Sequence, residues 1–181
     1  MKMTNKNVIF FGLALLVGIY LGLQYPLFGM VLLIPLIIFV VVILMRNKSG
    51  ELADAASTEE ARNFQVRPGL SRIYVMRDGF VGGQQGMNIT IDGAMNSQIR
   101  SKYFLMLDVE PGKHQVTAQM ASGTKSAELV YDVETADGEC VLLDAKLNVG
   151  LLQGTPTFDE IRKPHIAKDK LAKLKLVKWK T

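Results

Sequence analysis

Asn7 to Met45 is a stretch of 39 residues without a single Asp, Glu, Lys or Arg. Few structures accommodate such a run. As one helix rising ~1.5 Å per residue it would extend ~58 Å, about twice the ~30 Å hydrocarbon core of a bilayer. Two shorter helices joined by a turn would use all of it. Gln24-Tyr25-Pro26 supplies the break: Pro26 disfavours helix at the residue before it, and Gly29 adds freedom. The pattern therefore predicts an N-terminal transmembrane α-helical hairpin, with spans Val8–Leu23 and Leu27–Met45 and a tolerated kink at Pro35. A cleaved signal peptide fits less well, because no small-residue cleavage site follows and a second apolar stretch comes at once. A re-entrant hairpin is the other alternative. Such a chain is not expected to be a purely soluble enzyme, a disordered segment or a disulfide scaffold.

Flanking charges set the expected orientation. Lys2 and Lys6 precede the run, Arg46 and Lys48 follow it, and the turn carries no positive charge. Positive residues stay on the cytoplasmic side. The expectation is a two-span protein of a bacterial inner membrane with its polar module in the cytoplasm, the periplasmic face being the alternative. Gly18 and Gly22 form a G-x-x-x-G pair that would permit close helix packing.

The remainder divides into a linker over 47–69, a β domain over 70–161 and a basic tail over 162–181. Ser57-Thr58-Glu59-Glu60 has the form of a capping box and predicts a short helix near 58–64. From Leu70 onward the spacing is that of strands. Turn pairs recur at Asp78-Gly79, Asp92-Gly93, Pro111-Gly112, Ser122-Gly123 and Asp137-Gly138. Between them apolar and polar residues alternate: Val116, Ala118 and Met120 share one parity, Leu129, Tyr131 and Val133 face away from Glu128, Asp132 and Glu134, and Val141, Leu143, Ala145 and Leu147 form a third stripe. The reading is an all-β antiparallel sandwich of about seven strands, at 70–77, 86–92, 102–109, 114–121, 125–134, 139–147 and 154–160.

Arg72-Ile73-Tyr74-Val75, Ile91-Asp92-Gly93, Tyr103-Phe104, Leu107-Asp108-Val109, the turn Pro111-Gly112-Lys113-His114 and the ending Gly154–Ile161 occur in an order that resembles a bacterial family. This is the domain-of-unknown-function family numbered 2846, PEGA-like β-sandwiches often found in lipoproteins. The resemblance covers roughly 70–161. It implies an envelope-associated β-sandwich and brings no catalytic residues. The chain departs from it in carrying a predicted helical hairpin where a lipidated Cys would usually stand.

Chemistry-bearing residues are sparse. The single cysteine, Cys140, allows neither an intramolecular disulfide nor a thiolate metal cage, and reads as a small buried strand residue. His114 is a weak ligand candidate at the start of a strand. Gly82-Gly83-Gln84-Gln85-Gly86 looks like a phosphate loop, but a strand pattern follows instead of a helix, without the Lys-Ser/Thr that such a loop needs. Asp108 with Glu110 and Asp159 with Glu160 are acidic pairs of the kind that populate solvated faces. No catalytic residue, cofactor or metal is expected.

The tail carries the clearest charge signal. Net charge is +4, yet residues 162–181 hold eight basic groups against Asp169 alone. Lysines interleave with apolar residues, which predicts a short basic C-terminal helix, 173–176 also alternating as a strand would. Lys168, Lys170, Lys173, Lys175, Lys178, Trp179 and Lys180 would meet an anionic membrane surface. The expected function is a membrane-anchored binding or scaffolding module without catalysis, and the alternative a small oligomeric pore or transport-accessory subunit built on the hairpin. Expected partners are the lipid bilayer and a protein or a second copy of the chain, not nucleic acid.

Overall fold

The computed structural model describes residues 17, 18, 20–22, 24, 25, 31, 33–35, 37, 38, 40–42, 45, 50–79, 83, 85–121, 127–149 and 154–180. The chain forms two units, Met1–Met45 and Arg46–Thr181.

In the first unit the described residues are helical, apart from Tyr25. The expected spans Val8–Leu23 and Leu27–Met45 fall largely outside the described residues. Among the described residues no helix is long and apolar enough to cross a membrane. A crossing needs about 20 consecutive, predominantly apolar helical residues. This corrects the transmembrane hairpin, the membrane-anchored character drawn from it and the two-span inner-membrane localisation. Gly18 and Gly22 are helical, and a Cβ added at Gly18 would meet nothing within 4 Å.

The second unit is β-rich. Its elements are α1 (Ala55–Arg62), β1 (Ser71–Arg77), β2 (Met87–Ile91), β3 (Met95–Ile99), β4 (Tyr103–Val109), β5 (Gly112–Met120), β6 (Leu129–Thr135), β7 (Cys140–Val149), β8 (Gly154–Ile161), α2 (Pro164–Leu171) and β9 (Lys175–Leu176). A five-stranded sheet has the order β8-β7-β1-β4-β9, and a four-stranded sheet the order β3-β2-β5-β6. The chain passes from one sheet to the other and back, so strands close in sequence lie in different layers.

One apolar core lies between the sheets. Ile73, Val75, Leu105, Val141 and Leu143 from the large sheet meet Met87, Ile89, Ile91, Val116 and Val133 from the small one. A second core covers the other face of the large sheet, where Tyr74, Met76, Phe104 and Leu142 meet Ala61 of α1 and Ala167 and Leu171 of α2. The architecture is therefore a two-sheet sandwich with helices laid over one face.

That third layer explains a correction. The expected sandwich was antiparallel throughout, but β1 runs parallel to β7, and β4 parallel to β9. Parallel strands belong where both faces are covered, and all seven residues of β1 are buried. Among the described residues nine strands form instead of about seven. The strand pattern gave no sign of β3, and β9 falls in 173–176, where the strand was the alternative to a helix.

The helices also differ from expectation. α1 begins at Ala55 because Asp54, not Ser57, is its N-cap: the Asp54 carboxylate accepts from the Ser57 N–H at 2.8 Å. The Ser57 N–H holds the Asp54 carboxyl below its usual range. Past the end of α1, Phe64 takes a positive φ of 50°, which is rare for a bulky residue. Its ring is buried 5.0 Å from that of Tyr74.

Candidate functional site

The tail belongs to the fold. α2 ends at Leu171, and Leu174, Leu176 and Val177 are buried. Lys170 pairs with the buried Asp144 at 2.8 Å, and Lys178 with Glu51 at 2.8 Å. Trp179 is half-buried against the sandwich core, and its Nε1–H donates to the Met106 carbonyl at 2.8 Å. Lys168, Lys173, Lys175 and Lys180 are exposed and carry no ion pair among the described residues. Val177 also bridges to Leu52, and Lys180 to Asn96 of β3, so this segment closes one side of the sandwich.

His114 is a strut. Its Nδ1 lies 2.7 Å from Asp92 Oδ2 and its Nε2 lies 2.7 Å from the Glu110 carbonyl. Asp92 Oδ1 accepts from the Gln115 N–H at 2.9 Å. Asp92 and Gly93 both hold positive φ (51° and 67°), as a tight hairpin turn requires. The ring thus joins the β2–β3 turn to the β4–β5 turn, and neither nitrogen is left over for a ligand.

Other sequence candidates are also engaged within the domain. Arg72 grips Asp108 through two hydrogen bonds, and its guanidinium is held above its ordinary range chiefly by that carboxylate. Asp159 pairs with Lys146, while Glu160 pairs with Arg162 and accepts from the Tyr131 hydroxyl at 2.8 Å. Cys140 is buried, and burial pushes its thiol up. The glycine-rich segment 82–86 lies partly outside the described residues, and β2, a strand, follows it. Among the described residues no group of His, Cys, Asp and Glu could hold a metal ion.

Described residues line two depressions of note. One, of about 200 Å³, lies beside the end of α1 and is lined by Glu60, Asn63, Gln65, Val66, Arg67 and Arg72. Its most buried cation, Arg72, is already committed to Asp108. The other, of about 520 Å³, lies at the β5–β6 end of the small sheet. Asp92, Lys113, His114, Gln115, Asp132 and Glu134 line it, with Val133 beneath. Asp132 and Glu134 are exposed and stand without an ion pair among the described residues.

This second depression borders an open sheet edge, because among the described residues β6 pairs with β5 alone. Gln115 of β5 turns its carbonyl and N–H toward Asp92, on the β2 side. Its neighbours His114 and Val116 therefore bond to Val133 and Tyr131 of β6. Val130, Asp132 and Glu134 must point their backbone groups away from the sheet. Arg162 confirms the phase, since its Nη2–H donates to the Glu134 carbonyl from outside at 2.8 Å. The side chains of these three residues are exposed, Val130 at 53%.

Comparison with models of known protein families finds no match, and no curated protein matches the chain. The site is therefore read from its own geometry.

Proposed function

We propose that the β-rich unit is a non-catalytic protein-binding module whose contact surface is the acidic depression and adjoining edge of the small sheet. The observation that carries this reading is the pair of exposed carboxylates, Asp132 and Glu134, beside outward-facing backbone on an edge strand. Asp108, Asp144, Asp159 and Glu160 are each matched to a cation, whereas Asp132 and Glu134 carry no ion pair among the described residues. Unmatched charge on an interface steers encounter and selects partners of opposite sign.

The test places a photoreactive amino acid at Gln115, on the depression, and at Lys168, on α2, in the full chain within cells. The reading predicts protein adducts from position 115 that fall sharply when Asp132 and Glu134 are both replaced by Lys. Equal adduct yields from the two positions, or yields indifferent to charge reversal, would refute it.

A further inference from the structure

The open edge permits a narrower statement that rests on the binding reading above. We infer that β6 accepts an added strand from an extended polypeptide segment carrying Lys or Arg at alternate positions. Three features select this occupant.

The first is the backbone. Val130 and Asp132 present N–H and C=O groups outward, and no strand meets them among the described residues. An added strand would satisfy these groups in the way the ladder satisfies those of Tyr131 and Val133. At Glu134 the carbonyl is taken by Arg162, which marks one end of the free stretch.

The second is charge. Asp132 and Glu134 lie two residues apart on the exposed face of the small sheet, a separation of ~7 Å. Side chains two apart on an incoming strand repeat at that same interval. Cross-strand pairs of opposite charge stabilise a sheet, whereas like charges opposed to one another destabilise it. Two β6 edges brought together antiparallel would set carboxylate against carboxylate. A second copy pairing edge to edge is therefore disfavoured, and a basic segment is favoured.

The third is the inner side of the edge. Leu129 and Tyr131 are half-buried against the sandwich core, and Phe158 meets the Tyr131 ring edge-on at 5.7 Å. The residues that alternate with the basic ones on an incoming strand would lie beside this apolar rim, so the segment alternates basic with apolar.

The probe is a short synthetic peptide alternating lysine with valine, titrated into the purified full chain. Two controls share its length: the same peptide N-methylated at alternate residues along the pairing edge, and one with glutamate for lysine. Val130→Pro removes an outward N–H at an edge position, where proline is compatible with a sheet. The expected result is binding that weakens as salt rises and falls at least tenfold with N-methylation, with Val130→Pro and with glutamate. N-methylation leaves the protein untouched, so the test survives a variant that fails to fold. Equal binding of the methylated and unmethylated peptides overturns strand addition. If that binding is still lost on Asp132→Lys with Glu134→Lys, the acidic-surface reading stands without it. Absence of binding by the lysine peptide also overturns strand addition, and the crosslinking at Gln115 then decides the broader reading separately.

Discussion

Replacing Lys170 by Met should loosen α2 from the large sheet. Asp144 sits on β7 with its side chain only 7% exposed, while Lys170 reaches it from α2 at 2.8 Å and is 38% exposed. At an effective dielectric near 20, two unit charges at that distance attract by about 6 kcal/mol. Most of this attraction offsets the loss of hydration. Met keeps the apolar stem but leaves a buried carboxylate without its cation. Breaking a fully buried pair costs about 3–5 kcal/mol, and the partial exposure of Lys170 lowers this to about 2 kcal/mol. For a unit of this size that corresponds to a fall in Tm of roughly 6–10 °C. Urea denaturation of the full chain, followed by circular dichroism, measures the loss. The double variant Asp144→Asn with Lys170→Met should recover at least half of it, because no charge is then buried. A Lys170→Met variant as stable as the parent would refute the assignment of the tail to the folded unit.

Tyr74 is fully buried, its hydroxyl donates to the Ala61 carbonyl at 3.0 Å, and burial pushes its pKa up to about 12 from an ordinary 10. A raised pKa means that the native state resists ionisation. Its stabilising effect is complete below pH 10 and is lost as pH rises toward 12, amounting to roughly 2–3 kcal/mol. Denaturation at stepped alkaline pH should show this fall, and Tyr74→Phe should reduce it; an unchanged profile in the variant would count against the cause. Gly50→Ala should also destabilise, by about 1–3 kcal/mol. Its Cβ would stand 2.4 Å from Val177 Cγ1 and 3.1 Å from the Lys178 carbonyl, where the C-terminal segment closes the sandwich. Thermal unfolding of this variant checks that closure, and an unchanged Tm would mean that the segment is not held there.

Several strands were legible because they present apolar residues at period two between turn pairs, as β5 and β6 do. β3 was not, since Asn96, Ser97 and Gln98 interrupt the pattern. The structure buries Ser97 and Gln98 by bonding them, Ser97 to the Lys178 carbonyl at 3.0 Å and Gln98 to Asn88 at 2.7 Å. The packing of the tail was hidden for the opposite reason. Leu174, Leu176 and Val177 have the spacing of an amphipathic surface, but the groove they fill includes residues as distant in the chain as Ala61, Tyr74 and Phe104. α1 starts before its expected position because Asp54 captures the Ser57 N–H, and local sequence offers two competing caps. His114 is the third residue of β5 rather than its first, and its partners Asp92 and Glu110 reach it only once two turns have been brought together. The alternation of Val130, Asp132 and Glu134 against Tyr131 and Val133 was visible in the sequence. Their position on an edge was not, because strand order is a property of the assembled sheet.

Amide hydrogen exchange along β6 bears most directly on this account. In the free protein the Val130 and Asp132 amides should exchange within about tenfold of an unstructured peptide, while Tyr131 and Val133 should approach the protection of the core. Adding the lysine–valine peptide should protect Val130 and Asp132. Protection of Val130 and Asp132 equal to that of Tyr131 in the free protein would show that the edge is already covered, contradicting the assignment of β6 as the open side of the sandwich.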